Sequence, residues 1–363
     1  MESPSPTGRR AVELATAAAR LRVDLAGGSL AAFTLAKAGA PNPLSWDCAS
    51  HDGLDPLALA PRPLGHFLCL DRWGPPTAQE EENGMSYHGE ASQVEWNVVS
   101  QTPAAAMGSA RWAKVSMEAT LPMAGLHVVR EVALSSIAAM ALVQEKVTNI
   151  APLGRVYNMV QHPSLGAPFL DDSTRVDCNG RRGFAQGPNR TDCPQPEQPT
   201  FNFPDAINRA GEKADARAMT GGDDDVQSYE VDPESPIGWV TAMNAGLGLV
   251  FGYCWPRVDY PWISLWCCSR AEGYMARGIE FGTTGLHQPF PVLAKHPRLF
   301  ELPTFAFVDA GEAQTRKYAM FILEVPPGFK GVASVVVSGS TITLVETGAG
   351  RKMSIDAEEP IFD

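Results

Sequence analysis

Apolar and polar side chains alternate along this chain in short runs broken by turn residues. Val23, Leu25, the Gly27–Gly28 turn, Leu30 and Phe33 give roughly every second position to an apolar group, the signature of a hairpin. Val115 to Ala119 and Leu126 to Leu134 repeat the pattern, the latter with Val128, Arg130 and Val132 on one face and Val129 and Glu131 on the other. Ala141 to Val147, Lys317 to Val325, Ala333 to Val337, Thr341 to Val345 and Met353 to Ile355 continue the series. Almost no segment sustains a 3.6-residue period. The exception is Glu13 to Leu21, an Ala-rich stretch that could form a short helix at the end of a weakly specified, flexible tail over residues 1–20.

Strands this frequent without alternating helices exclude a doubly wound sheet or a (β/α)8 barrel and predict an all-β protein built from large antiparallel sheets. No repeat of 20 to 50 residues is present, which weakens a propeller. The expected organisation is one domain over residues 21–363, with a long irregular insertion over about 179–236. Gly187-Pro188-Asn189, the run from Pro194 to Pro199, and Gly221 to Asp225 mark that insertion.

Composition sharpens this reading. The 363 residues are 44 % hydrophobic and 19 % charged, enough apolar material for a large core and unlike a disordered chain. The 33 glycines and 30 prolines favour many turns. A net charge of −12 repels phosphate backbones and anionic lipid, so neither nucleic acid nor membrane is an expected partner. No apolar run approaches the ~20 residues that a spanning helix needs. Seven cysteines without a CxxC or Cys/His zinc pattern are expected to be thiols in a cytoplasmic protein, with the adjacent Cys267 and Cys268 as core filler.

Three stretches concentrate reactive groups. Gly84-Met85-Ser86-Tyr87-His88-Gly89-Glu90, followed by Trp96, sets a histidine beside glycine, where backbone can approach a ligand. Taken alone, His88 is more simply a solvated turn histidine. In Tyr157-Asn158-Met159-Val160-Gln161-His162-Pro163, a strand-like run is expected to end at the His-Pro step, placing His162 at a strand end. Its bland reading is a histidine serving local backbone groups. In Arg277-Gly278-Ile279-Glu280-Phe281-Gly282, Glu280 points opposite to Ile279 and Phe281. If its face is inward it needs a partner or a function; if outward it means nothing.

Taken together, these stretches resemble the aldose 1-epimerase (galactose mutarotase-like) superfamily. The matches are His88 with Trp96, His162 with Asn158, and the late Glu280, and the resemblance extends from Leu21 to Glu324. It implies a β-supersandwich, with Glu280 as general base, His162 as general acid and His88 as a second donor to the ring oxygen. His162 is expected to act as an imidazolium, its pKa raised by nearby carboxylates. Arg72, upstream of the His-Gly motif, is the candidate sugar-binding arginine, with Trp96, Asn158, Gln161 and Glu90 as further substrate contacts. Glu90 and the Glu-Phe-Gly-Thr sequence after Ile279 depart from the family pattern and leave the sugar open.

One or two of Trp73, Trp96, Trp255, Trp262 and Trp266 are expected to stack on the sugar, and the rest to be core. The expected partner is a small neutral carbohydrate, with no cofactor and no resident metal. His88, Glu90, His162 and Glu280 could supply metal ligands, but no HxH or HxxxH pair supports that reading. The alternatives are a carbohydrate-binding protein without turnover, or a lyase or hydrolase on the same scaffold. The oligomeric state is not readable.

Overall fold

In a computed structural model, strands hold 52 % of the residues and helices 5 %. The structure describes residues 2–4, 8–53, 55, 57–103, 112–186, 199–220, 224–270, 275–357 and 359–362. Two large antiparallel sheets, of twelve and eight strands, dominate, and a three-stranded sheet follows near the C-terminus. The main core lies between the two large sheets. It gathers Val23, Leu68, Met159 and Ile279 from one and Val115, Val128, Val143 and Phe251 from the other. The short C-terminal strands Val332–Ser338, Thr341–Glu346 and Lys352–Asp356 close a second core against the far face of the eight-stranded sheet, around Met140, Phe321 and Ile342.

The alternating runs became strands as the sequence predicts. Trp112–Leu121, Leu126–Ser135 and Met140–Asn149 form a meander, and Ala19–Asp24 pairs with Leu30–Leu35 around Gly27 and Gly28. Both glycines have positive φ, 113° and 66°. Arg130 does face the core side, where it meets the buried Glu145 at 2.6 Å.

Two expectations are corrected. The stretch expected to form a helix is a hairpin, Arg10–Ala15 paired with Ala19–Asp24 and turned at Thr16. Val12, Leu14, Leu21 and Val23 bury at period two, and that burial outweighs the helix propensity of the alanines. The expected irregular insertion contributes Gly180–Ala185 and Asp225–Val231 to the twelve-stranded sheet. Its markers Gly187 to Asn189, Pro194 to Gln198 and Gly221 to Asp223 lie outside the described residues. Among the described residues no helix is long and apolar enough to cross a membrane, and none of the six described cysteines is in a disulfide.

Five neighbouring strands of the large sheet position the site. In order across the sheet they are His66–Asp71, Arg155–Leu165, Met275–Gly282, Trp262–Ser269 and Asp225–Val231. With strands ~4.8 Å apart, this floor is about 19 Å across. On each strand one face feeds the main core, as with Leu68, Met159, Ile279 and Leu265. The opposite face carries Phe67, Val160, Trp266 and Val226, which join Trp46 and Trp73 in a separate cluster outside the sandwich.

Candidate active site

Over that outer face lies a cavity of about 470 Å³. The floor contributes Phe67, His162, Glu280, Trp266 and Val226; the walls include Trp46, His51, Trp73, Tyr87, His88, Asp224 and His287. His88, His162 and Glu280 therefore meet at one cavity, although 74 and 118 residues of chain separate them.

Glu280 and His162 sit on adjacent strands, with His162 Nε2 3.3 Å from Glu280 Oε1. The other carboxylate oxygen accepts a 2.7 Å hydrogen bond from Trp73 Nε1. Gly278 makes room for the carboxylate: a Cβ there would lie 2.8 Å from Glu280 Oε1 and 3.0 Å from Trp266 Cβ. His162 stacks on Phe67 at 4.3 Å, and its Nδ1 is 2.9 Å from Ser164 Oγ.

The strand does not end at the His-Pro step. It runs on to Leu165, and Pro163 is accommodated because ladder partners on the Glu280 strand skip residues 162 and 163. His162 is thus held in a strand interior. Its protonation also differs from expectation. Burial pushes the imidazole down to about 3, so it is neutral at pH 7.

His88 adopts a left-handed backbone, φ 65°, a conformation that costs a non-glycine residue of the order of 1 kcal/mol or more. Two bonds to Gly74 hold it there. His88 N–H donates to Gly74 O at 3.0 Å, and Gly74 N–H donates to His88 Nδ1 at 3.0 Å. The second bond needs a bare Nδ1, so the imidazole is neutral with its proton on Nε2. The His88 ring is 5.3 Å from that of His162 and 5.3 Å from that of His287.

The remaining expected contacts do not line the cavity. Arg72 is buried beside Asp71, with Nε 3.2 Å from Oδ1, and reaches Glu80 at 2.8 Å. Trp96 lies in the main core, donating to Ala91 O and packing under Arg130. Asn158 donates to Thr304 O and accepts from Thr283 Oγ1 at 2.9 Å. Gln161 points into the sandwich, opposite to His162 by strand alternation, and donates to Glu145 and Tyr260. Glu90 accepts the backbone N–H groups of Met123 and Ala124. Polar residues next to a motif satisfied buried backbone and charge, a demand as strong as any ligand's.

With Glu90 elsewhere, the four-residue metal set considered from sequence does not assemble. Among the described residues the ligand atoms of His51, Asp224 and Cys268 do lie within 4.8 Å of one another. Arg270 Nη2 sits 3.0 Å from His51 Nε2, so a guanidinium already faces the histidine. Contact with Asp224, with Asp52 as a further partner, raises the His51 pKa above its usual value.

Of the tryptophans considered, Trp73 and Trp266 line the cavity, while Trp96 and Trp255 are in the main core and Trp262 packs with Phe184 and Leu286. Sequence reasoning missed Trp46, His51, Asp224 and His287. Of these, His287 alone had a readable signal, following Glu280 in a Gly-Leu-His turn.

No protein-family model matches this chain, and no curated protein matches it significantly. Solved structures do match. A galactose mutarotase related enzyme from Lactobacillus acidophilus aligns at TM-score 0.57 and 9 % identity, over 87 % of this chain and 99 % of its own. A galactose mutarotase-like protein from Clostridium acetobutylicum gives 0.56 and 12 %, over 90 % and 98 %. A protein provisionally named an aldose 1-epimerase, from Escherichia coli K12, gives 0.58 and 12 %, over 87 % and 99 %. The fold of this chain is the galactose mutarotase-like fold.

Proposed function

We propose that this protein is a sugar mutarotase of the aldose 1-epimerase type, opening and reclosing the hemiacetal ring of a neutral aldose. The observation that carries the reading is the His162–Glu280 pair, 3.3 Å apart on the cavity floor with the His88 ring beside it. Ring opening needs one proton taken from the anomeric hydroxyl and one given to the ring oxygen. A carboxylate and an imidazolium perform both moves together, and closure on the other face of the carbonyl reverses them.

Protonated His162 with anionic Glu280 is the reactive form. Burial disfavours the imidazolium, so this form is a minor one at neutral pH. His88, with its proton on Nε2, is a neutral donor suited to orienting the ring oxygen. Trp46, Trp73 and Trp266 supply apolar faces for the sugar's C–H surface. Arg62 also lines the cavity, but Asp47 grips it at 3.0 and 3.1 Å, which favours a neutral sugar over a phosphorylated one.

The neutral His162 also gives weight to a second reading, a carbohydrate-binding protein without turnover. Polarimetry on freshly dissolved α-aldoses, paired with calorimetric titration of the same sugars, separates the two. Accelerated loss of optical rotation supports the mutarotase. Saturable binding with a rotation decay equal to the uncatalysed rate leaves the binding protein.

A further inference from the structure

We propose that His287 is a positioning residue for Glu280, acting through Trp73; the proposal rests on the mutarotase reading of the cavity. His287 is a buried polar side chain on the cavity wall, seven residues beyond Glu280. The turn that carries it is pinned from several sides. Thr283 N–H donates to Met159 O, Thr283 Oγ1 donates to Asn158 Oδ1, and Gln186 Nε2 donates to Gly285 O at 2.7 Å. Asn158, expected from sequence to touch sugar, instead helps to set where His287 stands.

The ring of His287 meets the indole of Trp73 at 4.7 Å and 88°, an edge-on contact. Its Nε2 is 3.1 Å from Tyr87 Oη, which fixes the rotation of the imidazole. Gly74 permits this approach. A Cβ at that position would stand 3.1 Å from the imidazole Nδ1, and the glycine φ is 103°. The same glycine holds both backbone bonds to His88, so one turn sets two histidines and the adjacent indole.

Trp73 has one polar atom, Nε1–H, and it is directed at Glu280 Oε2. That bond leaves Oε1 turned towards His162. The contact from His287 keeps the indole in the plane that allows the bond. Without the imidazole, the indole gains room to rotate, and the carboxylate loses both its donor and its fixed orientation.

The test uses His287→Ala and His287→Asn in the full chain, read by two methods. In ¹H–¹⁵N spectra the Trp73 indole N–H, assigned by its loss in Trp73→Phe, reports the bond to Glu280 directly. Mutarotation kinetics against pH report its consequence. The expected result for His287→Ala is a kcat lowered by about ten- to a hundredfold, the range for one hydrogen bond to a charged group. KM should change by less than about threefold, the acid limb of kcat/KM should move to higher pH, and the indole resonance should shift. Should the alanine variant not fold, His287→Asn carries the same readings. An unmoved indole resonance and an unmoved pH profile, with only a lowered Tm, overturn the proposal. If the wild-type protein turns over no aldose, the mutarotase reading falls separately. The indole resonance then still decides whether His287 positions Trp73 on Glu280.

Discussion

Glu280 is held between two groups of opposite use: Trp73 Nε1 donates to one carboxylate oxygen at 2.7 Å, and His162 Nε2 stands 3.3 Å from the other. One oxygen is anchored by the indole and the other faces the imidazole. The residues come from three separate strands or turns, and each is nearly inaccessible to solvent. Small changes at this junction should therefore have large and separable effects.

Replacing the carboxylate by an amide keeps its shape and removes the base that the mutarotase proposal requires. Glu280→Gln is expected to lower kcat by about two to four decades while sugar affinity persists. His162→Asn should do likewise. Calorimetric binding alongside polarimetry checks both, and a variant retaining wild-type kcat contradicts the assigned role.

Trp73→Phe removes the donor to Glu280 and keeps most of the ring. A loss of about ten- to a hundredfold in kcat is expected, with little change in KM. The acid limb of the kcat/KM profile should move to higher pH, because a hydrogen bond to the charged form favours ionisation and its loss does the reverse.

Acid should destabilise the fold through His162. Its folded value of about 3 lies below the ~6.5 of an unfolded histidine, so between those limits the unfolded chain binds more protons. Stability is then fully present above about pH 6.5 and falls as pH drops towards 3, by an amount on the order of a few kcal/mol. Fully buried His66, also lowered by burial, acts in the same direction. Urea midpoints measured from pH 7 to 4 should fall, and less steeply in His162→Asn.

Arg72 offers a contrast. It touches Asp71 and Glu80, not the cavity, so Arg72→Ala should lower Tm while leaving KM within about twofold. Removing one side of a buried charge contact costs about 1–3 kcal/mol, and Arg155 remains to partner Asp71. A large rise in KM without loss of Tm would show that the arginine serves the ligand after all.

The sequence by itself determined the local character of the chain. Alternation at period two marked most long strands, because each strand of a sandwich must turn one face to the core and so writes its orientation into neighbouring residues. It also marked His88, His162 and Glu280, whose glycine-flanked or apolar surroundings are local features. It misjudged Arg10 to Leu21, where alanines favour a helix locally and the sheet edge and core decide otherwise. The tertiary structure alone decided which polar residues reach the cavity. Gln161 and His162 are neighbours in sequence, yet one bonds Glu145 inside the sandwich and the other faces Glu280 outside it. Arg72 and Trp73 divide in the same way between an ion pair and the cavity wall. Asp224, in a bend, and His51, on the short helix Cys48–Asp52, come together from far apart in the chain. Such meetings depend on sheet order and on long-range packing, and no local pattern of side chains encodes either.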